Sequence, residues 1–189
     1  MSEVIKITRK SKEYPKKLVH IHNPPEVLYC RGNINLLNSE CVAIVGTRKL
    51  TSYGKEAAYN ISRQLAENGF TVVSGLAMGI DAVAHQAALS IKGKTIAVLG
   101  TGVADRTIYP KVNFNLSQDI LKNDGLIISE YAVDEPGFKS NFPQRNRIIS
   151  GLSKGTVVIE ADEKSGSLIT ARLALEQNPR VMRSRFSDF

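Results

Sequence analysis

The stretch CVAIVGTR at 41–48 decides the fold, because an uninterrupted apolar run ends there in a glycine, a hydroxyl and a cation. A strand that is apolar at consecutive positions is buried on both faces, as in a parallel sheet between layers of helices. Working outward along the chain, the same pattern recurs in FTVVSG at 70–75, TIAVLG at 95–100, LIISEY at 126–131 and TVVIEA at 156–161. The sequence therefore predicts five buried strands.

Helical patterns separate these runs. Ser52 is expected to cap the first helix, which ends at Gly69, and Asp81 is expected to open the second. Two further helices are predicted in VNFNLSQDILKNDG and in SLITARLALEQN, which ends before Pro179. This alternation of strand and helix predicts an α/β fold, Rossmann-like and doubly wound, with a mainly parallel sheet.

Residues 1–38 do not show this alternation. Their basic opening and the Pro24-Pro25 turn predict a short amino-terminal segment packed on the core. Residues 39–189 are then expected to form the Rossmann-like domain.

Composition narrows the possible partners. The chain has 25 Lys and Arg against 18 Asp and Glu, a net charge of +7, which favours a polyanion. No apolar stretch is long enough for a signal peptide or a membrane span, so we expect a cytoplasmic protein without membrane contact. Cys30, Cys41 and the three histidines have no metal-ligand spacing, so neither a metal site nor a disulfide is expected.

Each predicted strand is followed by a loop of glycines, hydroxyls or charges. In open α/β sheets ligands bind at this carboxyl edge, where the N–H groups of helix amino termini converge, and a phosphate-bearing ligand is the leading class. The alternative is that Gly46, Gly75, Gly79 and Gly100 only make tight turns. Neither a G-x-G-x-x-G fingerprint nor a P-loop occurs, so no NAD, FAD or ATP cofactor is expected.

The stretch from Pro136 to Ile159 contains no acidic residue and interleaves cations with two phenylalanines. Cations that neutralise phosphates beside rings that stack on bases are typical of single-strand binding. The cations and rings are Lys139, Arg145, Arg147, Lys154, Phe138 and Phe142. Alternatively, one phenylalanine belongs to the core and one arginine forms a structural ion pair or caps a helix. Arg48 is a further candidate for a phosphate contact, or a buried arginine paired with Asp81 or Glu130.

Catalytic machinery is harder to find. Glu130 and Glu160 each follow a strand and are candidates for a carboxylate pair, and Ser165 and Ser167 lie in a polar loop. His85 falls within a helix among alanines, where a hydrogen-bonded packing role is expected. We therefore expect no enzymatic activity.

The chain resembles the DprA/Smf family, the DNA-processing proteins of bacterial natural transformation. The resemblance runs from about Tyr14 to Asn178 and rests on long motifs in the family's order: VAIVGTR, SGLAMGIDAVAH, GKTIAVLGTGV, ISEY, FPQRNRIISGLS and VVIEADEKSGSLITARLALE.

This resemblance implies a Rossmann-like domain that binds single-stranded DNA, acts as a recombination mediator in natural transformation, protects incoming DNA, helps to load the recombinase RecA and forms a homodimer. The DNA contacts that it implies are Arg48, Lys139, Phe142, Arg145, Asn146 and Arg147, with Ser165, Gly166 and Ser167 as further candidates at a helix start.

The resemblance weakens at the end of the chain, which reads PRVMRSRFSDF. The family follows the LALE helix with a hydrophobic strand and a Val-Pro-Gly turn, so we expect a truncated domain with an unpaired sheet edge and impaired dimerisation. Two other functions stay open. One is a nucleotide phosphoribohydrolase-like enzyme of the family often described as lysine decarboxylases, although its P-G-G-x-G-T loop is missing; the other is a sensor of a small nucleotide.

Overall fold

The protein is described here by a computed structural model, which covers residues 3–160 and 181–184. The strands are β1 Val4–Thr8, β2 Val27–Gly32, β3 Cys41–Gly46, β4 Thr71–Ser74, β5 Thr95–Val98, β6 Leu126–Ser129, β7 Thr156–Ile159 and β8 Val181–Ser184. Within these residues they form one sheet of eight strands in the order β1-β2-β6-β5-β4-β3-β7-β8. The strands from β3 to β8 are parallel, which confirms the five predicted buried strands.

Helices cover both faces of this sheet. They are α1 Lys16–Val19, α2 Ser52–Glu67, α3 Ile80–Ser90, α4 Phe114–Lys122 and α5 Asn141–Leu152. Successive residues of a strand point to opposite faces. Accordingly Ala43 and Val45 pack in the same cluster as α1 and α5, whereas Ile44 packs with α2 and α3. The Rossmann-like, doubly wound α/β fold is therefore confirmed.

The start of α2 differs slightly from the prediction. Thr51, not Ser52, is the cap, because its hydroxyl accepts a hydrogen bond from the Gly54 N–H at 3.1 Å. Asp81 lies in the first turn of α3, as expected, and its carboxylate accepts the N–H of Gly75 at 3.0 Å. This bond ties the start of α3 to the loop that follows β4.

The amino-terminal segment joins the sheet. β2 pairs antiparallel with β6, with Tyr29 opposite Ser129, and β1 pairs antiparallel with β2. Two strands of the amino-terminal segment thus extend the sheet beyond β6. Because β1 runs parallel to β6, the connection that follows Thr8 lies at the carboxyl edge of the parallel strands.

At the other edge of the sheet, β8 pairs parallel with β7, with Val157 opposite Met182. The expectation that the chain lacks a strand after its last predicted helix is therefore wrong, and the edge of β7 is not left unpaired. The sequence did not predict this strand, because the arginines of PRVMRSRF interrupt the apolar run by which the other strands were recognised. The helix predicted in SLITARLALEQN lies outside the described residues.

Helix α5 was not predicted. Its first turn contains Pro143, which the missing N–H of proline permits at that position. Its core-facing residues include Arg145 and Arg147 beside Ile148 and Leu152, so the helical spacing is not marked by apolar residues alone. No helix in the described ranges is long and apolar enough to span a membrane.

Candidate functional site

A cleft lies at the carboxyl edge of the parallel strands, where the sequence predicted a ligand. The loops after β3, β4 and β5 meet the start of α5 there. The residues that line the cleft are Arg48, Gly75, Ala77, Met78, Tyr109, Pro110, Phe142 and Arg145. The enclosed volume is only about 30 Å³. Sites for small molecules usually enclose about 300–1,000 Å³. This cleft therefore suits a ligand that lies across it better than one that is enclosed by it.

Two glycines allow the loops to approach each other. Gly79 has a φ of +81°, and a Cβ atom there would lie 2.8 Å from the Cα of Arg48. The next residue, Ile80, donates its N–H to the carbonyl of Thr47 at 3.1 Å. At Gly75, a Cβ atom would lie 2.6 Å from the guanidinium carbon of Arg145. Both glycines serve close packing, and through Gly79 this packing positions Arg48.

Arg48 itself is exposed. The alternative of a buried, ion-paired arginine therefore does not apply to this residue. It applies to two arginines of α5, one close to Asp81 and one paired with Glu130. Arg48 thus keeps its cation available to a ligand.

Arg145 lies beneath the cleft and is 4% exposed. Its guanidinium donates to the carbonyl of Gly75, the residue after β4, at 2.7 Å and to that of Val98, the last residue of β5. Burial lowers the pKa of Arg145 to about 10, and the charge of Asp81 opposes this shift. These internal bonds argue against the implied direct DNA contact and favour a role in holding the strand ends together. Asn146, half-buried, accepts from the Arg145 Nε at 3.2 Å.

Arg147 forms a shielded ion pair. Its two terminal nitrogens donate to the carboxylate oxygens of Glu130 at 2.8 and 2.6 Å, and its Nε donates to the carbonyl of Asn23 at 2.9 Å. The side chains of Arg147 and Glu130 are 10% and 17% exposed. This is the structural ion pair that the sequence left open, and it joins α5, the end of β6 and the amino-terminal segment.

Phe142 is half-buried in the wall of the cleft. Its ring packs over Gly100, where a Cβ atom would lie 2.8 Å from the ring, and tilts against Tyr109 with 5.7 Å between ring centroids. Phe138 is 56% exposed in the loop before α5, which also carries the exposed Lys139. Neither phenylalanine is a fully buried core residue.

Sequence reasoning missed Met78 and Tyr109, which line the cleft with 48% and 55% of their surface exposed. Exposed large apolar side chains grouped in one cleft are typical of a binding surface. Both lie in loops that follow predicted strands, so the rule that ligands bind at the carboxyl edge could have found them.

The candidate carboxylate pair is engaged elsewhere. Glu160 accepts the backbone N–H of Thr51 at 3.0 Å and the Thr51 hydroxyl, at the start of α2, whereas Glu130 is bound by Arg147. His85 is buried and hydrogen-bonded to Thr95 at 2.7 Å, in the expected packing role, and burial lowers its pKa to about 3. In residues 3–160, no three side chains of His, Cys, Asp or Glu are grouped to hold a metal.

Ser165, Gly166 and Ser167 lie outside the described residues. Of the other implied contacts, the structure brings Arg48, Phe142 and Arg145 to one cleft and places Lys139 in the loop before α5. It directs Arg147 away, into the ion pair with Glu130.

The chain is similar to several known proteins. Residues 6–185 match a family model described as DNA recombination-mediator protein A. Protein Smf of Escherichia coli is 46% identical over 171 residues, which are 90% of this chain and 45% of that protein. The X-ray structure of DNA processing protein A from Streptococcus pneumoniae has a TM-score of 0.90 and 42% identity, covering 98% of this chain and 64% of that one.

A second solved relative is DNA processing protein A from Helicobacter pylori, whose structure addresses its single-stranded DNA binding mode. Its TM-score is 0.84 at 36% identity, covering 97% of this chain and 82% of that one. The chain spans about half the length of the curated relatives it matches. With a matching family model over most of its length and the same fold as two solved members, the chain belongs to the DNA recombination-mediator protein A family.

Proposed function

We propose that this chain binds single-stranded DNA across the cleft at the carboxyl edge of its sheet. One observation carries the proposal: the exposed cation of Arg48 and the partly exposed side chains of Met78, Tyr109 and Phe142 share this cleft. Cations that hold phosphates beside rings that stack on bases are what binding of a single strand requires.

The shape of the cleft supports a single strand over the alternatives. Its enclosed volume of about 30 Å³ is too small to surround a free nucleotide, so this cleft does not favour the sensor function. A base must leave its stack to rest on Phe142, and unpaired bases do so at a lower cost than paired ones.

Within this proposal the side chains have separate roles. Arg48 and Lys139 contact phosphates, and the ring of Phe142 stacks on a base. Arg145, with Asn146 on its Nε, positions the ends of β4 and β5 beneath the cleft. Arg147 positions α5 through its ion pair with Glu130.

Family membership also supports a proposal for the role of the chain in the cell. The relatives are named DNA processing proteins, and the family is described as a recombination mediator. We accordingly propose that the chain acts in the cytoplasm, protects incoming DNA during natural transformation and helps to load RecA, as part of a homodimer.

A fluorescence titration with labelled oligo-dT tests DNA capture, using Arg48→Ala and Phe142→Ala. Loss of one stacked base is worth about 1–3 kcal/mol, so Phe142→Ala should weaken binding roughly 5- to 150-fold. The matched controls are Arg63→Ala, an exposed arginine of α2, and Phe70→Ala, a half-buried phenylalanine before β4.

Melting curves of the same variants separate binding from folding. If Phe142→Ala loses stability but binds oligo-dT as the Phe70→Ala control does, the ring is only structural. If duplex DNA or mononucleotides compete as well as oligo-dT, the proposal of single-strand binding is wrong.

The phosphoribohydrolase-like alternative requires free carboxylates beside a nucleotide. Glu130 and Glu160 are instead bound by Arg147 and by the start of α2, so the geometry does not favour it. Release of a free base from nucleoside monophosphates by the purified chain would support the phosphoribohydrolase-like activity.

A further inference from the structure

We propose that the turn between β1 and α1 extends the DNA track, with Lys10 and Lys12 as phosphate contacts at the far end of the sheet edge. This inference rests on the proposed binding of single-stranded DNA. It adds a second basic surface that lies outside the cleft.

Topology places this turn on the correct edge. Thr8 pairs with Val27, and two residues further along β2 Tyr29 pairs with Ser129, the last residue of β6. The chain that follows Thr8 therefore emerges beside the carboxyl end of β6, on the same edge as the cleft. The sheet order puts β1 three strands away from β5, whose following loop packs against Phe142.

Hydrogen bonds within the turn and to its neighbours hold its backbone in place. Ser11 donates its N–H to the Thr8 carbonyl at 2.9 Å and its hydroxyl oxygen accepts the Thr8 N–H at 3.0 Å. The hydroxyl of the buried Tyr14 donates to the carbonyl of Pro25 at 2.7 Å. These bonds fix the backbone of the turn that carries Lys10 and Lys12, which lowers the ordering cost of binding.

The chain that follows the turn packs on the middle and the carboxyl-terminal half of α5. Arg147 of α5 donates to the carbonyl of Asn23, in the segment that returns to β2. Burial raises the pKa of Tyr14, and the charges of Arg9 and of the Arg147–Glu130 pair also act on it. A DNA strand that runs from Phe142 along the carboxyl edge of the sheet towards β1 would reach this turn.

Its charge suits a polyanion. The exposed cations are Arg9, Lys10, Lys12 and Lys16, against the exposed carboxylates of Glu13 and Glu26. Arg9 is paired with Glu26 at 2.7 Å. Among the ion pairs of the described residues, none involves Lys10 or Lys12, so both cations remain available for phosphates.

The distance between the cleft and the turn sets the length of DNA that is needed to contact both. Adjacent strands lie about 4.8 Å apart, so three spacings amount to roughly 14 Å. At a rise of about 3.4 Å per nucleotide, a strand covers this in about four nucleotides, and in fewer when extended. Oligonucleotides that only fill the cleft should not contact Lys10 and Lys12, whereas longer ones should.

The test compares Lys10→Gln/Lys12→Gln with the matched control Lys92→Gln/Lys122→Gln, two exposed lysines before β5 and β6 at the opposite edge. Both pairs remove the same charge, and melting curves check folding. Affinity for oligo-dT is measured over a series of lengths increasing by one nucleotide. We expect the Lys10 and Lys12 variant to bind the shortest oligonucleotides like the control and long ones more weakly.

Salt gives a second measurement. Each lost phosphate contact reduces the log–log salt slope on single strands by about 0.7, so two contacts reduce it by about 1.4. The affinity advantage of the wild type over the Lys10→Gln/Lys12→Gln variant should then shrink about sevenfold between about 50 and 200 mM salt.

Equal binding of long oligonucleotides by the two variants overturns the inference, and so does an equal loss at every length. If Arg48→Ala still weakens binding in that case, the proposed function stands and only the extended track is wrong. If the wild type binds no oligo-dT, both fail together. Preferential loss of binding to anionic lipid vesicles, with oligo-dT unaffected, would assign the turn to a membrane surface instead.

Discussion

Replacing Arg147 with methionine distinguishes a structural arginine from one that contacts DNA. In the wild type its guanidinium donates two hydrogen bonds to Glu130, at 2.8 and 2.6 Å, and one to the Asn23 carbonyl at 2.9 Å. Methionine fills a similar space but leaves without its cation the carboxylate of Glu130, whose side chain is 17% exposed in the wild type.

The expected cost follows from this burial. Removing one partner of a buried ion pair lowers the free energy of unfolding by about 3–5 kcal/mol, because the other charge stays shielded from water. In a domain of this size each kcal/mol shifts Tm by roughly 2–4 °C, so Arg147→Met should lower Tm by roughly 6–20 °C. Changing both partners, Arg147→Met with Glu130→Leu, should recover most of the loss, since a buried pair is often replaceable by apolar residues.

Thermal melts and oligo-dT titrations on both variants provide the assay, with binding measured well below the lower Tm. We expect the double variant to bind oligo-dT with the affinity of the wild type. A double variant that melts normally but has lost oligo-dT affinity would show that the guanidinium contacts DNA after all. A single variant as stable as the wild type would refute the argument from burial.

Three further predictions use different properties of the chain. With Arg48 in the cleft and Lys139 in the loop before α5 as the phosphate contacts, short oligo-dT should show a log–log salt slope of about −1.4. Changing either residue to alanine should bring the slope to about −0.7, and an unchanged slope excludes that contact. Gly79→Ala should destabilise the fold more than Gly69→Ala, since both glycines have a φ of +81° but only at Gly79 would the new Cβ meet other atoms; equal melting temperatures would contradict this, and Gly79→Ala should also weaken DNA binding by displacing Arg48. The pKa of His85 is about 3 in the folded protein and 6.5 when the side chain is exposed, so its contribution to stability is complete above about pH 6.5 and is lost as the pH falls towards 3, by up to about 1.4 kcal/mol per pH unit. The free energy of unfolding of His85→Gln should therefore depend less on pH across this range, and a dependence identical to that of the wild type would show that another group titrates.

The sequence alone determined the central sheet. The run at 41–46 and the four that resemble it are apolar at consecutive positions, and all five became parallel strands buried on both faces. Period and hydrophobicity are local properties, so they can be read without knowing the partners of each strand. The same reasoning predicted that the following loops meet at one edge of the sheet, where we propose that DNA binds, because parallel strands run in one direction.

Only the tertiary structure showed which arginines are exposed and which are buried with internal partners. Arg48, Arg145 and Arg147 look alike as cations near glycines and aromatic residues, yet the first is exposed and the other two are buried. The carbonyls of Gly75 and Val98 bind Arg145, and that of Asn23 binds Arg147; all three are distant in sequence. A charge pattern predicts a preference for phosphates, but it does not show which guanidinium finds internal partners.

Helix α5 and the basic turn needed the structure for the same reason. Two buried arginines occupy core-facing positions of α5, so its sequence reads as a basic segment and not as an amphipathic helix. Lys10 and Lys12 lie at the carboxyl edge of the parallel strands only because β2 pairs antiparallel with β6, nearly a hundred residues later in the chain. Local spacing cannot encode that pairing, since it depends on which sheet edge is left open once the other strands have packed.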